Sequence, residues 1–282
     1  MRTFILTAFA LTAFAFNSIL CRMALGPGEI DAAGFTVIRL LSGTVTLAAL
    51  ILASGKTRNP AKSGSWGSGF FLFAYAACFS FAYLGLSTAT GALVLFGSVQ
   101  LTMVGVSLAK GARPRPIEWT GLVVALGGLV YLVLPGLSAP PLKNALLMAA
   151  AGIAWGVYTL RGKGSADPLA ETAGNFVRSV PMAAVLGLLF LANFHISARG
   201  VLFAVLSGAV ASGVGYSVWY SALKYHTPTR AAVLQLSVPV IAAIGGVVFL
   251  SESASMRLFI AGALILGGIG LTLMRPAARA SA

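Results

Sequence analysis

The chain has 282 residues, 58% of them hydrophobic and only 9% charged, with a mean hydropathy of +0.93. A soluble protein carries about a quarter charged residues, so a soluble globular domain is excluded and a polytopic membrane protein is indicated. The formal net charge of +13 sits almost wholly in short loops, so it reads as membrane topology and not as a nucleic-acid partner.

Ten apolar segments follow one another, at 3–21, 32–54, 66–86, 89–109, 117–135, 142–160, 170–192, 200–223, 229–250 and 257–274. Each is long enough to cross a bilayer core as a helix, and none alternates as a barrel strand would. The expected fold is therefore an all-α polytopic membrane protein of ten transmembrane helices. The first segment, behind Met1 and Arg2, outruns a signal-peptide core and lacks a small-x-small cleavage site, so it reads as a true span. It carries Asn17.

Arg39 lies about eight residues into the second segment, roughly 12 Å along its axis. Phe71, Tyr75, Phe79 and Tyr83 recur every four residues in the third, one helical stripe. Gln100 interrupts the fourth, and Gly121, Gly127 and Gly128 give the fifth a small-residue face. Trp155 and Tyr158 share a face of the sixth. Asn175 and Arg178 fall inside the seventh, the arginine at a depth like that of Arg39. Tyr216, Trp219 and Tyr220 cluster late in the eighth. A basic turn, Lys224-Tyr-His-Thr-Pro-Thr-Arg230, leads into the ninth, with Thr227 as its N-cap and Pro228 in its first turn. The ninth carries Gln235, a kinking Pro239 and Glu252 at its far end. Gly262, Gly267, Gly268 and Gly270 repeat the small-residue face in the tenth.

Loop charges orient the chain. With the N-terminus inside, thirteen loop Lys and Arg residues fall on the cytoplasmic side and four (Arg22, Lys143, Arg199 and Arg257) on the other. The reading is a multi-pass protein of the cell inner (plasma) membrane with both termini cytoplasmic.

Five segments occupy residues 1–135 and five occupy 142–275. Gly34-Phe-Thr-Val-Ile-Arg39 echoes Gly174-Asn-Phe-Val-Arg178, and Gly121–Gly128 echoes Gly262–Gly268. An odd number per half sends the second half in from the opposite side. This is an inverted repeat, with a site expected between the halves near the midplane.

The run Ala222-Leu-Lys-Tyr-His-Thr-Pro-Thr-Arg-Ala-Ala-Val, followed by Pro239 and Leu250-Ser-Glu252, resembles the signature of the EamA family of the drug/metabolite transporter superfamily. In overall character the chain is similar to its ten-helix, YddG-type amino-acid exporters. The resemblance implies two five-helix EamA-like repeats, 1–135 and 142–275, and a cytoplasmic tail at 276–282. It also implies a pocket built from the first four helices of each half. The first half departs from the signature, with Val99 near the proline position and Gly111 or Ala112 near the glutamate.

The substrate-binding candidates are Asn17, Tyr75, Phe79, Tyr83, Gln100, Trp155, Tyr158, Asn175, Tyr216 and Gln235. The gating or electrostatic candidates are Arg39 and Arg178. Each has a plainer reading: amides tie helices together, aromatic stripes pack or face lipid, and arginines snorkel or cap carbonyls. Glu252 reads as a helix-end structural residue. Cys21 and Cys78 read as small buried hydrophobes. No metal spacing, phosphate loop or catalytic cluster is present, so neither an enzyme nor a cofactor is indicated. The expected function is export of small organic metabolites, amino acids including aromatic ones by resemblance, through alternating access. The alternatives are a multidrug or cationic-compound exporter, a channel, and a membrane-embedded lipid-modifying enzyme. The expected partners are a small-molecule substrate and the bilayer, with the glycine faces suiting scaffold or a homodimer surface.

Overall fold

The computed structural model describes residues 2–54, 63–109, 116–134, 139–162, 165–223, 225, 234–235 and 237–273. Within these the chain is helical: α1 (Arg2–Leu25), α2 (Ala32–Ala53), α3 (Trp66–Ala82), α4 (Thr88–Ala109), α5 (Pro116–Val133), α6 (Leu142–Gly162) and α7 (Pro168–Leu189). The helix α8 then runs without a break through Ala198–Leu206, a π-helical stretch Ser207–Val214, and Gly215–Leu223. Ser237–Leu250 (α9) and Met256–Leu273 (α10) complete the set. Among the described residues, seven helices are long and apolar enough to cross a membrane, and Trp66–Ala82, Ser237–Leu250 and Met256–Leu271 are shorter apolar helices. This is a helical, multi-pass membrane protein. Thr227, Pro228 and Gly111 lie outside the described residues.

Several helices start where a short polar side chain can take up a free N–H. Asp31 accepts from Gly34 (2.8 Å), Ser65 from Ser68 (3.1 Å), Asp167 from Ala170 (3.3 Å) and Ser197 from Gly200 (3.0 Å). Pro239 lies within the helical residues of α9.

The helices pack mostly across the two halves of the chain. The helices α3 and α4 lie on α6, α1 on α8 and α9, α2 on α7 and α8, α3 also on α7, and α4 on α9. The remaining pair, α5 and α10, packs against itself at the side of the bundle. There the glycine faces are used in part, with Gly128 and Gly268 at the contact and Gly127, Gly267 and Gly270 away from it. A Cβ on Gly268 would meet the Ala125 amide at 2.5 Å and the Gly121 carbonyl at 2.6 Å, so only glycine allows this approach. Outward faces carry exposed Val45, Val123, Leu146, Val185, Ile244 and Phe259, a surface suited to lipid and not to water.

One end of the bundle is tied by loops from both halves. The Asp31 amide donates to the His195 carbonyl (2.9 Å) and the Ser197 amide to the Glu29 carbonyl (2.8 Å). The opposite end is tied at the start of α3. The Ser65 amide donates to Asn175 (2.9 Å), and Arg161 donates to Ser68 (3.1 Å) and Ser65 (3.3 Å). Gly64 makes that second tie feasible: its φ is +76° and a Cβ there would strike the Asn175 side-chain oxygen at 2.5 Å.

Candidate functional site

Aromatic side chains from five helices converge in the middle of the bundle. Trp155 of α6 lies 4.8 Å from the Tyr75 ring of α3, 5.0 Å from the Tyr216 ring of α8 and 5.4 Å from Tyr158. Phe14 of α1 meets Tyr216 and Trp219 edge-on, both at 5.7 Å, and Phe176 of α7 meets Tyr216 at 6.1 Å. Such pairs add about 0.5–1.5 kcal/mol each beyond their burial. Helical spacing brings them together: Tyr75 and Phe79 are one turn apart, as are Phe14 and Ser18.

These rings wall a central cavity of about 20 Å³, lined by Phe14, Asn17, Ser18, Tyr75, Phe79, Leu95, Phe96, Trp155 and Tyr216. That volume holds about one water molecule, so the cavity is closed around its centre. Five of the expected site residues (Asn17, Tyr75, Phe79, Trp155 and Tyr216) are in this wall. Phe14, Ser18, Leu95 and Phe96 are in it too and were not singled out from the sequence. The first segment is rich in phenylalanine, and only the face shared with Asn17 separates Phe14 from the others.

The other expected residues stand elsewhere. Tyr83 is buried at the end of α3, where its hydroxyl donates to the Thr88 carbonyl (3.3 Å). Gln100 is buried on α4, one turn beyond Phe96. The Tyr158 hydroxyl pairs with Asn175 and Thr172. Asn175 thus holds two elements together, Ser65 on one side and Tyr158 on the other. Gln235 is half-buried and is not among the residues lining the cavity. Arg178 donates to the carbonyls of Ser63 (2.5 Å) and Gly174 (2.9 Å), the carbonyl-capping role that the sequence also allowed.

Asn17 does more than line the wall. It accepts from Ser207 and donates to Ser212 (3.5 Å), the two serines that bracket most of the π-helical stretch of α8. A π-helical stretch widens the helix and often marks a functional site. Gly208 lies inside it, so close to Ser42 and the Arg39 carbonyl that a Cβ would overlap both.

Among the described residues Arg39 is the fully buried charge, 1% exposed. One guanidinium nitrogen, Nη2, donates to the Tyr75 hydroxyl (3.0 Å), and the Cζ atom lies 5.0 Å from the Tyr75 ring centroid and 4.9 Å from that of Phe79. The flat cation thus rests on two rings of the cavity wall. Among the described residues no cluster of His, Cys, Asp and Glu can hold a metal ion.

A larger groove of about 450 Å³ runs along the outside between α4, α9 and α10. Its walls are nearly all apolar and it opens away from the bundle, so in a bilayer it faces lipid.

The EamA-like transporter family matches residues 142–274. An "Uncharacterized protein PA1977" of Pseudomonas aeruginosa is 49% identical over 280 residues, spanning 99% of this chain and 97% of that protein. The threonine/homoserine exporter RhtA of Escherichia coli K12 is 26% identical over 264 residues, 86% of this chain and 83% of RhtA. A solved structure titled "Crystal structure of protein" shares the fold with a TM-score of 0.67 at 21% identity, over 96% of both chains. The chain belongs to the EamA-like transporter family of the drug/metabolite transporter superfamily, and is a membrane transporter of small metabolites.

Proposed function

We propose that the protein is an alternating-access carrier that exports amino acids or closely similar metabolites across the cell inner membrane. The observation that carries this reading is the central cavity, walled by rings and an amide from both halves of the chain and closed around its centre. A carrier needs such a site between two parts that move against each other.

The packing supports an inverted repeat. Pair each helix with its counterpart in the other half: α1 with α6, α2 with α7, α3 with α8, α4 with α9, α5 with α10. The exchange turns the α3–α6 contact into α8–α1, the α4–α6 contact into α9–α1, and the α3–α7 contact into α8–α2. All of these contacts are present. On this reading the chain has ten spans in two units, 1–135 and 142–275, with both termini and the 276–282 tail cytoplasmic by loop charge. The end carrying the Asp31–His195 tie is then the outer one. Gly127, Gly267 and Gly270 have open space where a Cβ would stand, which suits lipid or a second copy of the chain.

The amino-acid class rests on the relative named as a threonine/homoserine exporter, on the aromatic wall and on the buried Arg39 beside it. A cationic multidrug substrate would meet that same positive charge with no carboxylate to offset it. An enzyme is disfavoured by the lack of a catalytic cluster among the described residues. The test is uptake of a panel of labelled amino acids and organic cations into proteoliposomes. Saturable uptake of at least one amino acid supports the reading, and uptake of cations alone overturns it.

A further inference from the structure

Two of the three guanidinium nitrogens of Arg39, Nε and Nη1, are buried and have no hydrogen-bond partner. Tyr75 takes up the third. A buried cation is stable only when it is paired and its donors are satisfied. The whole chain has six acidic residues, and each can be placed. Glu29 and Asp31 stand before α2, Glu118 in the first turn of α5, Asp167 and Glu171 at the start of α7, and Glu252 after α9. All six lie at helix ends or in loops, and none reaches Arg39. No acidic side chain of the protein therefore neutralises this buried cation.

From this we infer that the central cavity is a carboxylate site, in which Arg39 makes a carboxylate obligatory on the solute and nothing makes an amine so. This rests on the carrier reading above. When the cavity opens to a solute, the carboxylate supplies both the missing charge and acceptors for Nε and Nη1, in the charge-assisted bonds that guanidinium favours. The ring faces of Tyr75 and Phe79 that now hold the cation are weaker partners that it can leave. An ammonium group has no such counterpart. The side chains lining the cavity offer it ring faces, the hydroxyls of Ser18, Tyr75 and Tyr216, and the Asn17 oxygen, which already accepts from Ser207, and none of these carries a negative charge. The transported class is thus small monocarboxylates with an apolar or hydroxylated side chain. Amino acids are members of that class, and the amino group contributes little.

The test uses the purified full-length protein in detergent, with thermal midpoint and tryptophan fluorescence as readouts. The probes are L-threonine, L-leucine and L-phenylalanine. Each is compared with its des-amino acid (3-hydroxybutyrate, 4-methylpentanoate, 3-phenylpropanoate) and with its amide. For at least one side chain the acid and the des-amino acid are expected to bind within about threefold of each other. The amide should bind about tenfold or more weakly, as the loss of a charged hydrogen-bond pair implies. Arg39→Gln should raise the thermal midpoint without ligand, because it removes an uncompensated buried charge, and should abolish the shift on adding acid. Arg39→Lys should keep the preference for acids. Four results overturn the inference. They are no binding by any of the three acids, amides that bind as well as acids, chloride that stabilises as much as the acids, and an Arg39→Gln protein that still prefers acids. Flux assays separate the two readings. Binding of acids without flux of any solute sinks the carrier and leaves the site, whereas flux that is equal for acid and amide sinks the site alone.

Discussion

The carboxylate of Glu252 accepts from the backbone amide of Thr88 (2.8 and 3.0 Å) and from its hydroxyl (3.1 Å), 164 residues earlier in the chain. The residue two past the end of α9 thereby caps the first turn of α4, where free N–H groups and the helix dipole favour an anion. Ser251 makes this reach available: its φ of 52° turns the chain back, and the Glu252 amide closes on the Gly246 carbonyl (3.1 Å). Arg22 joins the same cluster, 3.5 Å from the carboxylate, while its other end donates to the Tyr83 carbonyl (3.1 Å). Replacing Glu252 with Ala should lower unfolding stability in detergent by about 1–2 kcal/mol, the usual loss for a helix cap. Ser251→Gly should raise it by about 1 kcal/mol, because glycine adopts positive φ without penalty. A denaturant titration of the three proteins checks both signs.

The helix order and the aromatic wall were legible in the sequence because their signals are local. Uncharged runs of membrane length mark the helices, and Tyr75 and Phe79 share a stripe at helical spacing. Partners were not legible. Glu252 looked like a helix-end residue, and only the fold shows that the end it secures belongs to the other half. Asn175 and Asn17 look alike in sequence, each an amide in an apolar run. Packing sends the first to the Ser65 amide near one end of the bundle and the second to the centre. The π-helical stretch at Ser207–Val214 had no sequence warning beyond its small residues. Gly208 inside it packs against α2, a tertiary contact with no local signal.

That contact gives a second prediction. Gly208→Ala should destabilise the protein by about 1–3 kcal/mol, because the added methyl overlaps Ser42 and the Arg39 carbonyl. Gly270→Ala meets nothing within 4 Å and should be neutral or stabilising by up to about 1 kcal/mol. Thermal melts of the two single variants decide it, and equal losses would show that helix crowding at Gly208 is relieved by small shifts.

Trp155 touches Tyr75, Tyr158 and Tyr216 at once. Trp155→Ala should cut flux about tenfold while leaving a folded, monodisperse protein, since the ring is only half-buried. Trp155→Phe, which keeps a ring among the three tyrosines, should retain most of the flux. Comparing initial rates in proteoliposomes at equal protein content tests this. Unchanged flux in the alanine variant would make the cluster packing alone.

A carrier driven by protons needs a carboxylate or histidine in its membrane core. The six carboxylates of this chain stand at helix ends or in loops, and Arg39 stays charged at any physiological pH. With equal substrate on both sides, an imposed pH gradient should therefore produce no net accumulation. Accumulation that is lost in Glu252→Gln would instead make Glu252 the coupling group.

The central claim is that one cavity, closed between two halves, opens to each side in turn. Trans-stimulation tests it most directly. Proteoliposomes are loaded with unlabelled amino acid, and uptake of the labelled form is followed against empty vesicles. The account predicts saturable uptake that is faster into loaded vesicles and slowed by Trp155→Ala. A rate that rises linearly with concentration and ignores the internal amino acid would contradict it.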